Sequence, residues 1–276
     1  MISVIENPGL LLSSVVSTNR LDGQILKKLI SGQILAVRIA GYCLPSVTAV
    51  LAERLLNHPE FGFYRNAAQI GRVPQAFFES NGNRILREAY FDEALLRILD
   101  LRETFKPYLS PIDRLRLELD EAWPFGGNLL RLERGPMFVG LARVFGEGSE
   151  AYPHDDILLR DIPESLVASQ ITLQFGANIY LSLPSMGGEL DIWNFVLTPE
   201  EYDRRRLIGE DGQRSYGLDR ALIGPPATTI RPAIGELVLF CANRVHAVRP
   251  SYGGNRVTLS CFVGYSNDSS PLVSWS

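Results

Sequence analysis

Apolar positions change their spacing near residue 124. Before it they recur at helical intervals. In PSVTAVLAERLLN (45–57), Val47, Val50, Leu51 and Leu55 follow Pro45 and stop before Pro59, which predicts a helix. NRILREAYFDEALLRILDLRETF (83–105) carries a longer amphipathic pattern. Ser110, Pro111 and Asp113 form a helix start: a capping side chain, proline at the first helical position and an acid in the first turn. RLRLELDEAW (114–123) alternates in sign and reads as a solvated helix face. FYRNAAQIGRVPQ (63–75) is polar and irregular, either a surface loop or a lid over a site.

After 124, glycine, proline and β-formers prevail. NLLRLERG and PMFVGLARVFG (128–146) read as strands divided by a turn at Gly135-Pro136. Further strands are predicted within 169–184, 188–197, 228–233, 236–241 and 255–265. Strands following strands, with no helix between them, predict an antiparallel sandwich or jelly roll rather than a βαβ fold. LTPEEYDRRRLIGEDGQRSYGLD (197–219) interrupts them as a long polar insertion, with Arg204–Arg206 on a solvated face or over the site. The predicted fold class is mainly β with α. One continuous domain, 1–276, has a mostly helical N-terminal layer (1–123) packed on a jelly-roll core (124–276).

Composition narrows the function classes. Apolar residues are 46% and charged residues 21%, ordinary for a globular chain that buries a sizeable core. A net charge of −4 with no basic block offers no electrostatic footprint for nucleic acid. The most apolar window, ILAVRIAGYCL (34–44), is broken by Arg38 and is too short to span a membrane. The start, MISVIENPGLLLSSVVS, has Glu6 where a signal peptide needs basic residues. Cys43, Cys241 and Cys261 are odd in number and form no CxxC pair, which predicts reduced thiols in a cytoplasmic protein and no cysteine zinc site.

The chain has three histidines, and AYPHDDILLRD (151–161) places one beside two aspartates. On an extended chain residues i and i+2 share a face, so His154 and Asp156 converge while Asp155 turns away. A metal then needs a third ligand from His58 or His246. His58 lies at a helix end beside Pro59, where a surface or capping role is expected. His246 follows an apolar strand, and antiparallel pairing can bring it to His154. Two histidines and one carboxylate form the facial triad of non-haem Fe(II) oxygenases, with coordination positions left open. A dicarboxylate cosubstrate such as 2-oxoglutarate then wants a guanidinium. Arg256, on the next strand, is placed to supply it, with Thr258 adding a hydroxyl on the same face.

The segments PHDDILLRD, YLSLPSMGGELDIWN and PAIGELVLFCANRVHAVRPSYGGNRVTLSCFVGY resemble the core of the Fe(II)/2-oxoglutarate-dependent oxygenases, in their prolyl-hydroxylase-like branch, over about 136 to 265. AAQIGR (67–72), GGELDIWNFVLTPEEYD (187–203) and the final SWS extend the resemblance to N-succinyl amino-acid hydroxylases and carrier-independent indole-alkaloid halogenases. The resemblance implies a double-stranded β-helix, His154, Asp156 and His246 as iron ligands, Arg256 as cosubstrate anchor, and Fe(II), 2-oxoglutarate and O2 as reactants. The halogenases replace the aspartate of HxD by a small residue. Retention of Asp156 therefore implies hydroxylation or a related oxidation of a small molecule such as an amino acid, its derivative or a natural-product intermediate.

Four further residues are candidates for the substrate. Arg143 is placed to take a substrate carboxylate inside the barrel, or to lie exposed on its strand. Arg72 is a second anion anchor. Trp193 and Tyr180 line the pocket or pack in the β-core. Gly187 and Gly188 serve a tight strand entry. The rival readings are a peptide or protein hydroxylase and a non-catalytic ligand-binding jelly roll. Oligomeric state, monomer or homodimer, does not follow from these residues.

Overall fold

Strands Leu173–Ser182 and Arg256–Tyr265, each ten residues long, pair antiparallel at the centre of a ten-stranded sheet in the computed structural model. The structure describes residues 14–65, 67–209 and 212–276; the apolar patch and Glu6 at the chain start lie outside them. Both central strands are buried along nearly their whole length. Helix Pro45–Leu56 covers the outer face at Leu173–Ser182, and the inner face turns to a second sheet, so both faces are buried and polar Gln174, Asn178, Arg256 and Thr258 alternate onto the cavity side.

From the central pair the major sheet grows both ways. Leu237–Cys241, Ala36–Ile39 and Val15–Thr18 lie on one side, and Leu141–Phe145, Ile70–Val73 and Gly62–Phe63 on the other. A four-stranded minor sheet runs in the order Thr228–Ile230, Leu190–Ile192, His246–Val248, Ala151–His154. Two sheets with strands drawn from both ends of the second half make the expected jelly roll.

The helices obey their local signals. Pro45 and Pro111 stand at the first turns of Pro45–Leu56 and Pro111–Ala122, and the Asn83 side chain caps Arg84–Phe105 by accepting from the Leu86 amide. Ser110 occupies the N-cap position of Pro111–Ala122, but its side chain makes no capping bond.

Three expectations are corrected. The N-terminal half is more than a helical layer: four of its strands extend the major sheet. Those strands span two to four residues, too short to show a period, and only pairing with distant partners makes them strands. The irregular 63–75 segment holds one of them, with Ile70–Val73 paired to Leu141–Phe145. Gly135-Pro136 is not the turn itself but pairs with Arg131–Leu132. The insertion is partly ordered, as helix Pro199–Arg204 behind a Thr198/Glu201 capping box and a hairpin of Arg206–Ile208 with Arg214–Leu218. No helix among the described residues is long and apolar enough to cross a membrane.

Candidate active site

His154 ends its strand, His246 begins its own, and antiparallel pairing makes them register partners. Their ring centroids lie 4.4 Å apart. Beyond the strand, the Asp156 amide donates to the Ala242 carbonyl at 2.9 Å, which pins the chain as it turns. The Asp156 carboxylate then reaches both rings: Oδ1 is 3.9 Å from His154 Nε2, and Oδ2 is 3.2 Å from His246 Nε2. One ligand atom from each residue falls within 4.8 Å of the other two. Asp155 points the other way, its carboxylate buried in an ion pair with Arg160. The i, i+2 spacing sorted the two aspartates as expected.

The imidazole tautomers follow from their partners. His154 Nδ1 is 2.7 Å from the Tyr152 carbonyl and His246 Nδ1 is 3.0 Å from the Arg244 carbonyl. A carbonyl only accepts, so each Nδ1 carries a proton, and each Nε2, turned toward Asp156, is the nitrogen left to ligate. Burial, reinforced by the neighbouring His246, lowers His154 to about 4, so it stands neutral and ready to ligate. Burial alone would raise Asp156, but positive charge on the flanking imidazoles, when they are protonated, and on Arg143 outweighs it and holds the carboxyl below its ordinary range. Two imidazole nitrogens and a carboxylate suit a divalent first-row metal.

Arg256 is 1% exposed and its guanidinium lies between the Phe145 and Tyr180 rings, at 4.9 and 5.0 Å. Nε donates to the Gly188 carbonyl at 3.1 Å and Nη2 to the Tyr180 hydroxyl at 3.4 Å. Among the described residues no carboxylate pairs with it. A buried cation lacking a counter-charge is costly, so the geometry asks for an anion from solution. The Thr258 hydroxyl lies on the same strand face, two residues on, also buried. Gly187 and Gly188, at φ +76° and +72°, form the turn behind Arg256, and a Cβ on Gly187 would stand 1.7 Å from the Pro250 oxygen.

These groups open into a cavity of about 310 Å³ between the two sheets, lined among others by His154, Asp156, His246, Arg256, Thr258 and Arg143. The other substrate candidates fall elsewhere. Arg72 is held by Glu79, with hydrogen bonds of 2.8 and 3.3 Å, and is not in the cavity wall. Trp193 is buried against Leu197, Leu218 and Val245, its Nε1 donating to the Gly224 carbonyl at 2.9 Å, outside the cavity. Tyr180 supports Arg256 instead of lining the wall. His58 is buried, not on the surface; its Nε2 lies 3.0 Å from Asp100 and its Nδ1 accepts from the Glu60 amide.

Several wall residues had no local signal. Tyr64 comes from the stretch read as a loop, and Tyr202 and Tyr216 from the insertion, which covers the His154 side of the cavity. Tyr202 donates to the Tyr216 carbonyl at 2.7 Å, and the Tyr216 hydroxyl accepts from the Tyr152 amide at 3.1 Å, tying the insertion to the strand that carries His154.

Residues 164–276 match the family described as carrier-protein-independent halogenase WelO5. The L-gamma-glutamyl-L-propargylglycine hydroxylase of Streptantibioticus cattleyicolor is 31% identical over 169 residues, and the match spans 59% of this chain and 59% of that relative's length. Among solved structures, the N-substituted L-amino acid dioxygenase of Burkholderia ambifaria shares the fold, with a TM-score of 0.60 over 92% of this chain and 91% of its own at 15% identity. Its complex with alpha-KG aligns at a TM-score of 0.59 and 14% identity, over the same shares of the two chains. In its matched sequence the chain is thus similar to this halogenase family and to the hydroxylase, and in its fold to the dioxygenase.

Proposed function

We propose that this chain is a non-haem Fe(II)/2-oxoglutarate-dependent dioxygenase that hydroxylates a C–H bond of a small molecule. One observation carries the reading: a His-Asp-His cluster with both Nε2 atoms turned inward shares one cavity with a buried, carboxylate-free Arg256. In the balanced reaction one oxygen atom enters the substrate as hydroxyl, and the other enters the succinate formed from 2-oxoglutarate as CO2 leaves. His154, Asp156 and His246 hold the iron. Arg256 and Thr258 hold the distal carboxylate of the cosubstrate. Bound ferrous ion supplies oxygen activation coupled to loss of CO2 from the cosubstrate.

The chain's own residues do the rest. The Tyr152 and Arg244 carbonyls keep the imidazoles in the ligating tautomer, and Phe145 and Tyr180 fix the guanidinium plane. The insertion's Tyr202 and Tyr216 limit water at the cavity wall. The Asp156 carboxylate occupies the place that a halide needs, which favours hydroxylation. An amino acid or its derivative fits the cavity's size and the compounds named for the two relatives. Cys43, Cys241 and Cys261 are free and buried, which supports a reducing, cytoplasmic setting.

Anaerobic addition of Fe(II) and 2-oxoglutarate tests the reading. A weak visible charge-transfer band at about 500 nm is expected, and succinate release on admitting oxygen. Protein that takes up neither component refutes it.

A further inference from the structure

Arg143 and Tyr64 face the same cavity, and each buries a polar atom with no hydrogen-bond partner: the Arg143 Nε and the Tyr64 hydroxyl. Buried polar atoms are ordinarily satisfied, so an unmatched pair in a cavity wall marks where a ligand atom belongs. Tyr64 is 5% exposed and stacks on Phe78 at 5.2 Å, and the Arg143 guanidinium lies over the Phe262 ring at 5.8 Å. Aromatic packing thus holds both side chains, with the guanidinium close to the phenol.

The register explains why Arg143 reaches inward. It pairs with Thr258 on one neighbouring strand and with Arg72 on the other. Leu141, Arg143 and Phe145 alternate onto the cavity face. The other arginines near the site are committed: Arg72 to Glu79, Arg160 to Asp155, and Arg256, on the proposed function, to the cosubstrate. Charge points the same way, resting on that reading. A ferrous ion, the Asp156 carboxylate, a doubly charged cosubstrate and Arg256 sum to neutrality, and among the described residues Arg143 makes no ion pair with a carboxylate of the wall.

We infer that Arg143 and Tyr64 form a subsite for one carboxylate of the substrate, so the enzyme acts on a carboxylic acid. The guanidinium donates to the carboxylate, and the phenol donates to its second oxygen. The ligand is distinct from 2-oxoglutarate, whose distal carboxylate belongs to Arg256.

Isovalerate and isovaleramide, small enough to enter beside the cosubstrate, are the probes. Their binding is measured calorimetrically on Zn(II)-loaded, 2-oxoglutarate-saturated protein. Isovalerate is expected to bind at least about tenfold tighter than the amide, the scale of one charge-assisted hydrogen bond. Arg143→Gln should weaken isovalerate by about tenfold or more, and Tyr64→Phe by several-fold, with 2-oxoglutarate affinity within about twofold of the parent. The subsite is refuted by equal binding of acid and amide, by no saturable isovalerate binding up to about 100 mM, or by a loss of 2-oxoglutarate affinity in Arg143→Gln. Should Arg143→Gln not fold, the acid–amide ratio and Tyr64→Phe decide. Repeating the titration without metal or cosubstrate separates the two proposals: protein that refuses both but keeps an Arg143-dependent preference for isovalerate fails as an oxygenase and retains the subsite.

Discussion

His154 and His246, 92 residues apart in the chain, are direct cross-strand partners, and each is turned by a carbonyl two residues before it. The proposed metal site is therefore a property of strand register. Replacing either histidine by alanine should weaken Mn(II) binding by at least about 100-fold, measured calorimetrically, because two ligands cannot retain the ion. An unchanged affinity would remove that residue from the ligand set.

Adjacent aspartates should behave oppositely. On the proposed function, Asp156→Gly removes a ligand and should abolish 2-oxoglutarate-dependent hydroxylation. Asp155→Asn breaks the buried pair with Arg160 and should cost about 1–3 kcal/mol of stability while metal stoichiometry stays at one. Full hydroxylation by Asp156→Gly would assign the ligand to another acid.

Arg256→Met swaps a buried, counter-charge-free cation for an apolar side chain of similar length. The ligand-free protein should be as stable or more stable, by up to about 2 kcal/mol, which is several degrees in melting temperature. The parent's thermal stabilisation by 2-oxoglutarate should vanish in the variant. A variant that keeps that stabilisation would show the anchor to lie elsewhere.

Asp161 lines the cavity, and burial raises its carboxyl to about 6, against the hydrogen bond donated by Asn81. The unfolded group ionises at about 4, so between about 4 and 6 the folded chain binds more protons and stability falls as pH rises. Above that window the penalty is fully present. Asp161→Asn should thus stabilise the metal-free protein by about 1–2 kcal/mol at pH about 7.5, and by almost nothing near pH 4, in paired melting curves. A pH-independent difference would contradict this.

Gly187→Ala places a Cβ 1.7 Å from the Pro250 oxygen at φ +76°. The turn must move, at a cost of about 3 kcal/mol or more. Because the next residue's carbonyl accepts from Arg256 Nε, 2-oxoglutarate affinity should fall with stability. A variant destabilised but unchanged in cosubstrate affinity would uncouple the turn from the anchor.

Much of the site was legible because its parts are local. The i, i+2 relation of His154 and Asp156 belongs to any extended chain, and Gly187–Gly188 signalled a backbone that side chains would block. The substrate wall was less legible. Arg72 and Arg143 are register partners of the same residue type, yet Glu79 captures one and the other faces the cavity. Trp193 and Tyr180 are both buried aromatics, and neither lines the cavity wall.

The order of residue types along the chain determined that a β-rich half would carry imidazole, carboxylate, imidazole and guanidinium, since strand alternation and turn chemistry act over a few residues. Tertiary structure decided which histidine completes the cluster, that four short N-terminal strands join the major sheet, and that an insertion roofs the cavity. Those outcomes depend on pairing between strands far apart in sequence, and on which acid lies within reach of each arginine. Both are set by packing across the whole domain and not by any one segment.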